Sequence, residues 1–208
     1  MGVAVNFPLT NQELFEVSRG ETVRFPASRD EFWELLEEAE YRVDYFDHEI
    51  IANMSYESDK HSDLVTEVSY LLKKIFPKSD RRFKVHNSNR PVCIPGCDYA
   101  VFNPDGSVVM QPGERYEYRP GMDAELSPVL LFEVLSLSTR AHDFGTKLPC
   151  YKKIPALRYI LFLEAQRPEV TVFERIEKTG QWLETTLTQP DDTITVHGQP
   201  ISLRDIYG

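Results

Sequence analysis

The chain has 208 residues, of which 41% are hydrophobic and 27% charged, a composition typical of a globular domain rather than of a fibrous or disordered protein. The formal net charge of −10 argues against a general nucleic-acid coat protein, which would be basic, but leaves room for an enzyme that binds nucleic acid through a local cleft. The longest apolar runs, 129–132 and 159–163, are far too short to cross a bilayer, and the first residues lack the basic start and apolar stretch of a secretory signal. No membrane partner is therefore expected.

Three cysteines occur in the chain, Cys93, Cys97 and Cys150. This small, odd number without a secretory signal is typical of a reducing cytoplasm, which is the expected location. Cys93 and Cys97 lie near His86 and would begin a zinc site, but no fourth ligand at short spacing completes it. We therefore favour buried or loop thiols over a zinc site.

The first half of the chain predicts an irregular N-terminal arm, residues 1–27, followed by a single domain, residues 28–208. Ser28 and Glu31 have the spacing of a capping box, in which each side chain satisfies a free backbone N–H at the start of a helix. Alternating or periodic apolar residues then predict the following elements. They are a helix from Ser28 to about Ala39, strands at 42–47 and 49–54 joined by a turn at Asp47-His48, and a long helix at 58–76.

The second half reads mainly as strand. Residues 111–127 are polar and contain prolines and glycines, so we expect a long loop there. Residues 128–135 form a nearly continuous apolar run, the pattern of a strand buried on both faces. A short helix is expected near 146–153. The other expected strands are 82–86, 90–94, 98–102, 107–110, 157–163, 169–175, 182–187 and 193–196. This mixture indicates an α/β (α+β) domain with a central mixed sheet flanked by helices.

Glu133 is the most informative residue because it interrupts the apolar run. Burying a lone carboxylate costs several kcal/mol or more, so a metal, a cation or proton uptake must compensate it. An ordinary ion pair or a position at the strand end would also account for it. Asp98 opens the apolar strand 98–102, and two carboxylates meeting at neighbouring strand ends make an oxygen-rich site for Mg²⁺ or Mn²⁺. Ordinary turn chemistry after Gly96 is the alternative interpretation of Asp98.

Lys147 shares a helical face with apolar residues, so it could hold an attacking water or stabilise charge on a phosphorane. Its alternative interpretation is a side chain that extends to solvent. Pro149 is tolerable in that helix if Thr146 is the N-cap, because the first-turn N–H groups are free. Weaker candidates for contacts with the metal, the phosphate or their ligands are Asp44, His61, Ser138, Thr139 and Arg140.

The order Asp…Glu-Val-Leu-Ser-x-Ser-Thr…Lys…Tyr resembles the Uma-two family of restriction-type endonucleases, which belongs to the PD-(D/E)XK superfamily. The resemblance runs from about Arg29 to about Arg175 and is strongest from Phe132 through Lys147 and Tyr151. It implies a restriction-endonuclease-like fold and a role for each matching residue.

In this resemblance Asp98 and Glu133 would bind the metal, Lys147 would replace the lysine that other members carry where Leu135 stands here, and Asp44 would be an acidic helper. His61 resembles the family's histidine at the start of the next helix. Departures include Cys97 where the family has the proline before its metal aspartate, and Leu137 in place of the proline of Ser-Pro-Ser-Thr.

These residues lead to the hypothesis of a hydrolase, an endonuclease that cleaves DNA phosphodiester bonds with Mg²⁺ (or Mn²⁺) as cofactor and DNA as partner. A homodimer is expected because cutting both strands needs two sites. The alternative is a catalytically inactive module of the same fold that serves binding or assembly, which the net charge favours. A glycoside hydrolase using the carboxylate pair ranks last, because no aromatic sugar platform is visible.

Overall fold

The computed structural model describes residues 7–52, 58–88 and 90–208. Its helices are α1 (Asn11–Ser18), α2 (Arg29–Glu38), α3 (Asp59–Ile75), α4 (Arg140–His142), α5 (Leu148–Tyr151) and α6 (Leu203–Tyr207). A π-helical turn, Asp143–Lys147, joins α4 to α5 without a break. The expected helix at 28–39 is confirmed, with Ser28 and Glu31 forming a capping box. The last two residues of the strand expected at 49–54 lie outside the described residues.

The described strands form two large sheets and one hairpin. The first sheet has the order β1 (Val23–Pro26), β3 (Glu49–Ala52), β2 (Val43–Phe46), β6 (Ala100–Phe102), β5 (Val92–Ile94), β9 (Met122–Glu125), β8 (Arg115–Arg119). The second has the order β13 (Trp182–Leu187), β12 (Val170–Arg175), β11 (Tyr159–Glu164), β10 (Pro128–Leu135), β7 (Gly106–Met110), β4 (Phe83–Asn87). The hairpin is β14 (Thr193–Val196) with β15 (Gln199–Ser202).

The buried strand β10 organises the second sheet. It pairs in parallel with β11 and antiparallel with β7, so its apolar run is covered by neighbours on both edges. All of its residues except Val129 are buried, as the continuous apolar pattern predicted. Helix α3 packs on one face of this sheet through Leu64, Val68 and Leu72. The mixed α+β class expected from the sequence is therefore confirmed.

Two segments differ from the sequence expectation. The irregular arm contains α1 and β1; Leu14 of α1 is fully buried, and β1 pairs with β3 at the edge of the first sheet. The long loop at 111–127 contains the antiparallel hairpin β8–β9. In β8 the residues alternate between exposed and half-buried, and Trp33 of α2 stacks on Tyr118 with ring centroids 3.9 Å apart. Tertiary packing thus stabilises strands whose polar sequence resembles a loop.

The cysteines also depart from expectation. Cys97 and Cys150 form a disulfide, whereas Cys93 is a free, buried cysteine. The disulfide joins the 3-10 turn Pro95–Cys97, which precedes β6, to helix α5. Within the described ranges, none of the helices combines the length and the hydropathy needed to cross a bilayer.

Candidate active site

A cleft of about 380 Å³ lies between the two large sheets, where the ends of β2, β6 and β10 approach the helical segment α4–α5. Its wall carries an unusual concentration of ionisable side chains. They are Arg42, Asp44, His61, Asp105, Glu133, His142, Asp143 and Lys147. Charged side chains are rarely buried unless they are paired, so this cluster needs a physical account residue by residue.

Glu133 stands in the interior of β10 and is 3% exposed. One carboxylate oxygen, Oε1, accepts hydrogen bonds from Tyr151 Oη at 2.6 Å and from Lys147 Nζ at 3.0 Å. The other, Oε2, accepts a hydrogen bond from the backbone N–H of Asp105 at 3.3 Å. Burial raises the pKa of Glu133 to about 8, although the Lys147 ammonium opposes this. The buried glutamate therefore gains its compensation from both a cation and a tendency to retain its proton, as the sequence predicted.

Asp105 is the carboxylate that lies beside Glu133. It ends the turn after β6, and its Oδ2 accepts a hydrogen bond from the N–H of Val134 at 2.8 Å. Arg42 Nη1 donates to Asp105 Oδ1 at 2.7 Å, and His61 Nε2 lies 3.2 Å from Oδ2. Burial alone would raise the pKa of Asp105, but the hydrogen bond and charge of His61, with Arg42, bring it down to about 2.

The sequence contained a signal for Asp105, which lies between the strands expected at 98–102 and 107–110 and was not selected. Pro104-Asp105 is a proline–aspartate pair, the dipeptide for which the PD-(D/E)XK superfamily is named, and it directly precedes β7. Gly106 follows, and a Cβ atom there would lie 2.2 Å from Cε1 of Phe132. Because only glycine permits this close approach, Gly106 brings the turn against β10 and places Asp105 next to Glu133.

Asp98 does not join this group. It follows the 3-10 turn in a left-handed conformation with φ 51°, its side chain is 74% exposed, and its carboxylate lies 3.9 Å from His48 Nε2. The reason is the direction of β6: this strand begins at Ala100 and runs away from Asp98 toward the turn that holds Asp105. The expected convergence of Asp98 with Glu133 is thus replaced by that of Asp105 with Glu133.

Lys147 lies at the centre of three carboxylates. Its Nζ is 3.0 Å from Glu133 Oε1, 3.2 Å from Asp143 Oδ1 and 3.5 Å from Asp44 Oδ2. Burial would lower the pKa of Lys147, but the negative charges of Asp44, Glu133 and Asp143 raise it well above its ordinary value. The lysine is therefore a permanent cation, and Asp44 stands where the sequence analysis expected an acidic helper.

The helical geometry around Lys147 differs from the expectation. Helical structure begins at Arg140 rather than near 146, and Thr146 lies inside the π-helical turn instead of capping a helix. Pro149 lies at the beginning of α5, directly after the π-helical turn, in which the Leu148 N–H donates to the Asp143 carbonyl. Single π-helical turns occur frequently at functional sites. This turn directs both Asp143 and Lys147 into the cleft, where they are 2% and 7% exposed.

The remaining candidates divide into two groups. His61, Ser138 and Thr139 line the cleft, together with Ser136. Arg140 does not: it forms an ion pair with Glu164, and its guanidinium carbon lies 4.9 Å from the centroid of the Phe144 ring. His142, which the sequence analysis did not select, contributes Nε2 at 3.0 Å from Asp44 Oδ2. No local sequence pattern distinguishes His142, because its partner Asp44 lies 98 positions earlier in strand β2.

The charge balance of the cleft favours binding of a cation. Among the described residues that line it, four carboxyl groups, from Asp44, Asp105, Glu133 and Asp143, accompany two side chains that are always cationic, Arg42 and Lys147. The carboxyl groups therefore outnumber these cations even when Glu133, whose pKa is about 8, keeps its proton. Among the described residues no three His, Cys, Asp or Glu side chains form a ready metal cage. Mg²⁺, however, commonly uses one or two carboxylates and keeps several waters, so the neighbouring oxygens of Asp105 and Glu133 suit it.

Comparisons with known proteins identify a relative in sequence and a relative in fold. A protein 26% identical over 175 residues, covering 80% of this chain and 84% of its own length, is described as "Uncharacterized protein slr1290" of Synechocystis sp.. A crystal structure described as a "putative nuclease belonging to DUF820" from Anabaena variabilis superposes with a TM-score of 0.63 at 18% identity, covering 83% of this chain and 96% of that one. The likeness in structure shows a shared fold.

The family comparison covers most of the chain. Residues 29–204 match the model of the Uma2 family, whose description is "Putative restriction endonuclease". The matched range contains all the ionisable residues described above for the cleft, from Arg42 to Lys147. The chain therefore belongs to the Uma2 family of restriction-endonuclease-like proteins.

Proposed function

We propose that this protein is a metal-dependent endonuclease that hydrolyses phosphodiester bonds of DNA, with Asp105 and Glu133 as the ligands of Mg²⁺ or Mn²⁺. The observation that carries the proposal is that the side chains of Asp105, Glu133 and Lys147 line one cleft, with Asp105 Oδ2 bonded to the N–H of Val134, the neighbour of Glu133, and Lys147 Nζ 3.0 Å from Glu133 Oε1. A bound divalent cation in such a site supplies a water of lowered pKa and polarises the scissile phosphate. The pair Asp105–Glu133 replaces the pair Asp98–Glu133 of the sequence hypothesis.

The chain's own residues prepare this chemistry. Tyr151 and Lys147 both donate to Oε1 of Glu133, which leaves Oε2 on the side of Asp105. In this proposal Lys147 exchanges one of its three carboxylate contacts for the substrate and stabilises the negative charge that develops on the phosphate oxygens. Asp44 and Asp143 keep its pKa high, so the lysine stays protonated throughout turnover. It therefore acts as an electrostatic group and not as a general base.

The hydrogen-bond and ion-pair partners of Asp105 fix the orientation of its carboxylate. Arg42 and His61 approach different oxygens of the carboxylate, and the Val134 N–H provides a third contact. A ligand held by three donors loses little conformational freedom when it binds a cation. The hydroxyl groups of Ser138 and Thr139 at the mouth of the cleft are suited to donate to a phosphate oxygen.

The two aspartates permit a matched test of the assignment. Supercoiled plasmid and short duplexes are incubated with Mg²⁺ or Mn²⁺ and the wild type, Asp105→Asn, Glu133→Gln or Asp98→Asn. We expect cleavage by the wild type and by Asp98→Asn, and a loss of at least about 100-fold for the other two variants. Circular dichroism verifies that each variant is folded. Cleavage by Asp105→Asn at the wild-type rate contradicts the proposal.

An inactive binding module remains the second candidate function. It is favoured by the existing ion pairs, which satisfy Asp105 and Glu133 without a metal, and by the lack of a ready three-residue cage among the described residues. This alternative predicts neither cleavage nor calorimetric heat on titration with Mn²⁺. A folded wild type that binds no Mn²⁺ and leaves DNA intact therefore supports it.

We further propose a homodimer, because one protomer presents one cleft and a duplex has two strands to cut. Light scattering during size-exclusion chromatography tests this: a mass near twice 24.1 kDa supports it, and 24.1 kDa contradicts it.

A cytoplasmic location is also part of the proposal. The Cys97–Cys150 disulfide argues against this location, because structural disulfides are uncommon in the cytoplasm, so the location itself has to be measured. Cell fractionation with an antibody against the protein provides that measurement.

A further inference from the structure

Leu137 is the most exposed large apolar side chain in the described part of the chain. It is 96% exposed, whereas the next most exposed, Phe15 and Val17, are 56% exposed. Single exposed leucines are ordinary on protein surfaces, but this one lies on the rim of the candidate active site. Its position, rather than its exposure alone, calls for a functional explanation.

The loop that carries Leu137 is closed by hydroxyl groups. Ser136 Oγ lies 3.0 Å from both Ser138 Oγ and Thr139 Oγ1, and it accepts a hydrogen bond from the Thr139 N–H at 3.2 Å. The Ser136 N–H in turn donates to Thr139 Oγ1 at 3.3 Å. These contacts join the residues on either side of Leu137 to one another, so the leucine is held outward at the apex of a compact turn.

The turn is anchored to the catalytic strand. It begins directly after Leu135, which is the last residue of β10, is 3% exposed and lies two positions beyond Glu133. Residues 136–139 line the same cleft as Glu133 and Lys147. A polynucleotide bound at the carboxylates therefore comes within reach of the serine and threonine hydroxyls and of the projecting leucine.

We propose that Leu137 is a wedge that inserts between adjacent bases of the bound nucleic acid, next to the phosphate that is cleaved. This inference rests on the proposed nuclease function. Apolar side chains placed between base steps unstack them and kink the duplex, and the neighbouring hydroxyls are suited to hold the backbone phosphates. Insertion removes an exposed leucine from water, which offsets part of the cost of unstacking.

The wedge is tested by measuring duplex binding and 2-aminopurine fluorescence in buffer that contains Ca²⁺ but neither Mg²⁺ nor Mn²⁺. A set of short duplexes carries 2-aminopurine at one position each, so that unstacking raises the fluorescence of that duplex. With the wild type we expect a rise limited to one or two adjacent positions. With Leu137→Ala we expect that rise to disappear and Kd to increase by about tenfold, whereas Leu137→Met retains both. The matched control is Leu183→Ala, a leucine 52% exposed on β13 and outside the cleft.

A second substrate separates a wedge from a general surface contact. In a duplex with an abasic site at the responsive step, unstacking is already complete before binding. Leu137→Ala should then bind within about twofold of the wild type. Equal binding and equal fluorescence of wild type and Leu137→Ala on intact duplex overturn the wedge. Failure of the wild type to bind any duplex overturns the proposed function instead, so the two failures are distinguishable.

Discussion

Replacing Glu133 with glutamine tests whether burial raises the pKa of this carboxyl group in the folded protein. Its pKa rises from an ordinary 4.5 to about 8 in the folded protein, mainly through burial. The folded state therefore binds a proton between these values that the unfolded chain releases. Because the folded state holds more protons in this window, the free energy of unfolding falls as the pH rises from 4.5 through 8.

The magnitude follows from the two pKa values. The complete shift corresponds to about 5 kcal/mol at 1.36 kcal/mol per pKa unit, and the part lost between pH 6 and pH 8 is about 2 kcal/mol. Glutamine keeps the shape but does not titrate. The unfolding free energy of the wild type relative to Glu133→Gln should therefore decrease by about 2 kcal/mol over that interval.

The assay is urea unfolding followed by circular dichroism at pH 6, 7 and 8, with EDTA present so that no metal competes for the carboxyl. The control is Glu184→Gln, whose side chain is exposed on β13 and whose stability should follow the wild type at each pH. Parallel pH profiles for the wild type and Glu133→Gln would refute the reasoning, because they would mean that Glu133 is as easily ionised in the folded protein as in water.

Three further outcomes follow from contacts in and around the cleft. Gly106→Ala should destabilise the fold by about 1–3 kcal/mol in thermal or urea unfolding, since the new methyl group meets the Phe132 ring, whereas Gly145→Ala, with no atom within 4 Å, should cost well under about 1 kcal/mol. Lys147→Met leaves three buried carboxylates without their shared cation and should cost about 3–5 kcal/mol at pH 8, with the loss shrinking at lower pH as they take up protons. Asp98→Asn, at an exposed turn, should change the unfolding free energy by less than about 0.5 kcal/mol.

Glu133 and Lys147 were recognisable in the sequence because each is a charge in an apolar pattern. A charge at a buried position needs compensation, and this physical demand is visible without coordinates. Asp44 and His61 were also selected, and both line the cleft. The class of fold followed from the alternation of apolar strands with two amphipathic helices.

Asp105 could not be selected by the same reasoning, because it lies between Pro104 and Gly106 in a segment with ordinary turn composition. Its position in the site comes from long-range strand pairing. Gly106, the residue after Asp105, lies opposite Phe132 in the β7–β10 ladder, although the two are 26 positions apart in the sequence. Asp98 had the better local pattern but lies at the wrong end of β6. Local sequence thus identified which strand mattered, and only the topology showed which of its two ends faces β10.

The hairpin β8–β9 and the start of the helix at Arg140 were missed for a related reason. Residues of β8 are polar or aromatic in alternation, and the stacking of Tyr118 on Trp33, far away in sequence, supplies the packing that a short polar strand lacks. Before Arg140 the sequence offers Ser138 and Thr139, residue types that often cap helices, but Thr139 makes no capping hydrogen bond, so this local signal did not locate the beginning of the helix.

Titration calorimetry with Mn²⁺ on the wild type, Asp105→Asn and Asp98→Asn measures most directly whether the cleft is a metal site built from the carboxylates next to β10. We expect the wild type and Asp98→Asn to bind Mn²⁺ saturably with equal affinity, and Asp105→Asn to lose at least about tenfold in affinity. Wild-type affinity in Asp105→Asn, or its loss in Asp98→Asn alone, would contradict this expectation.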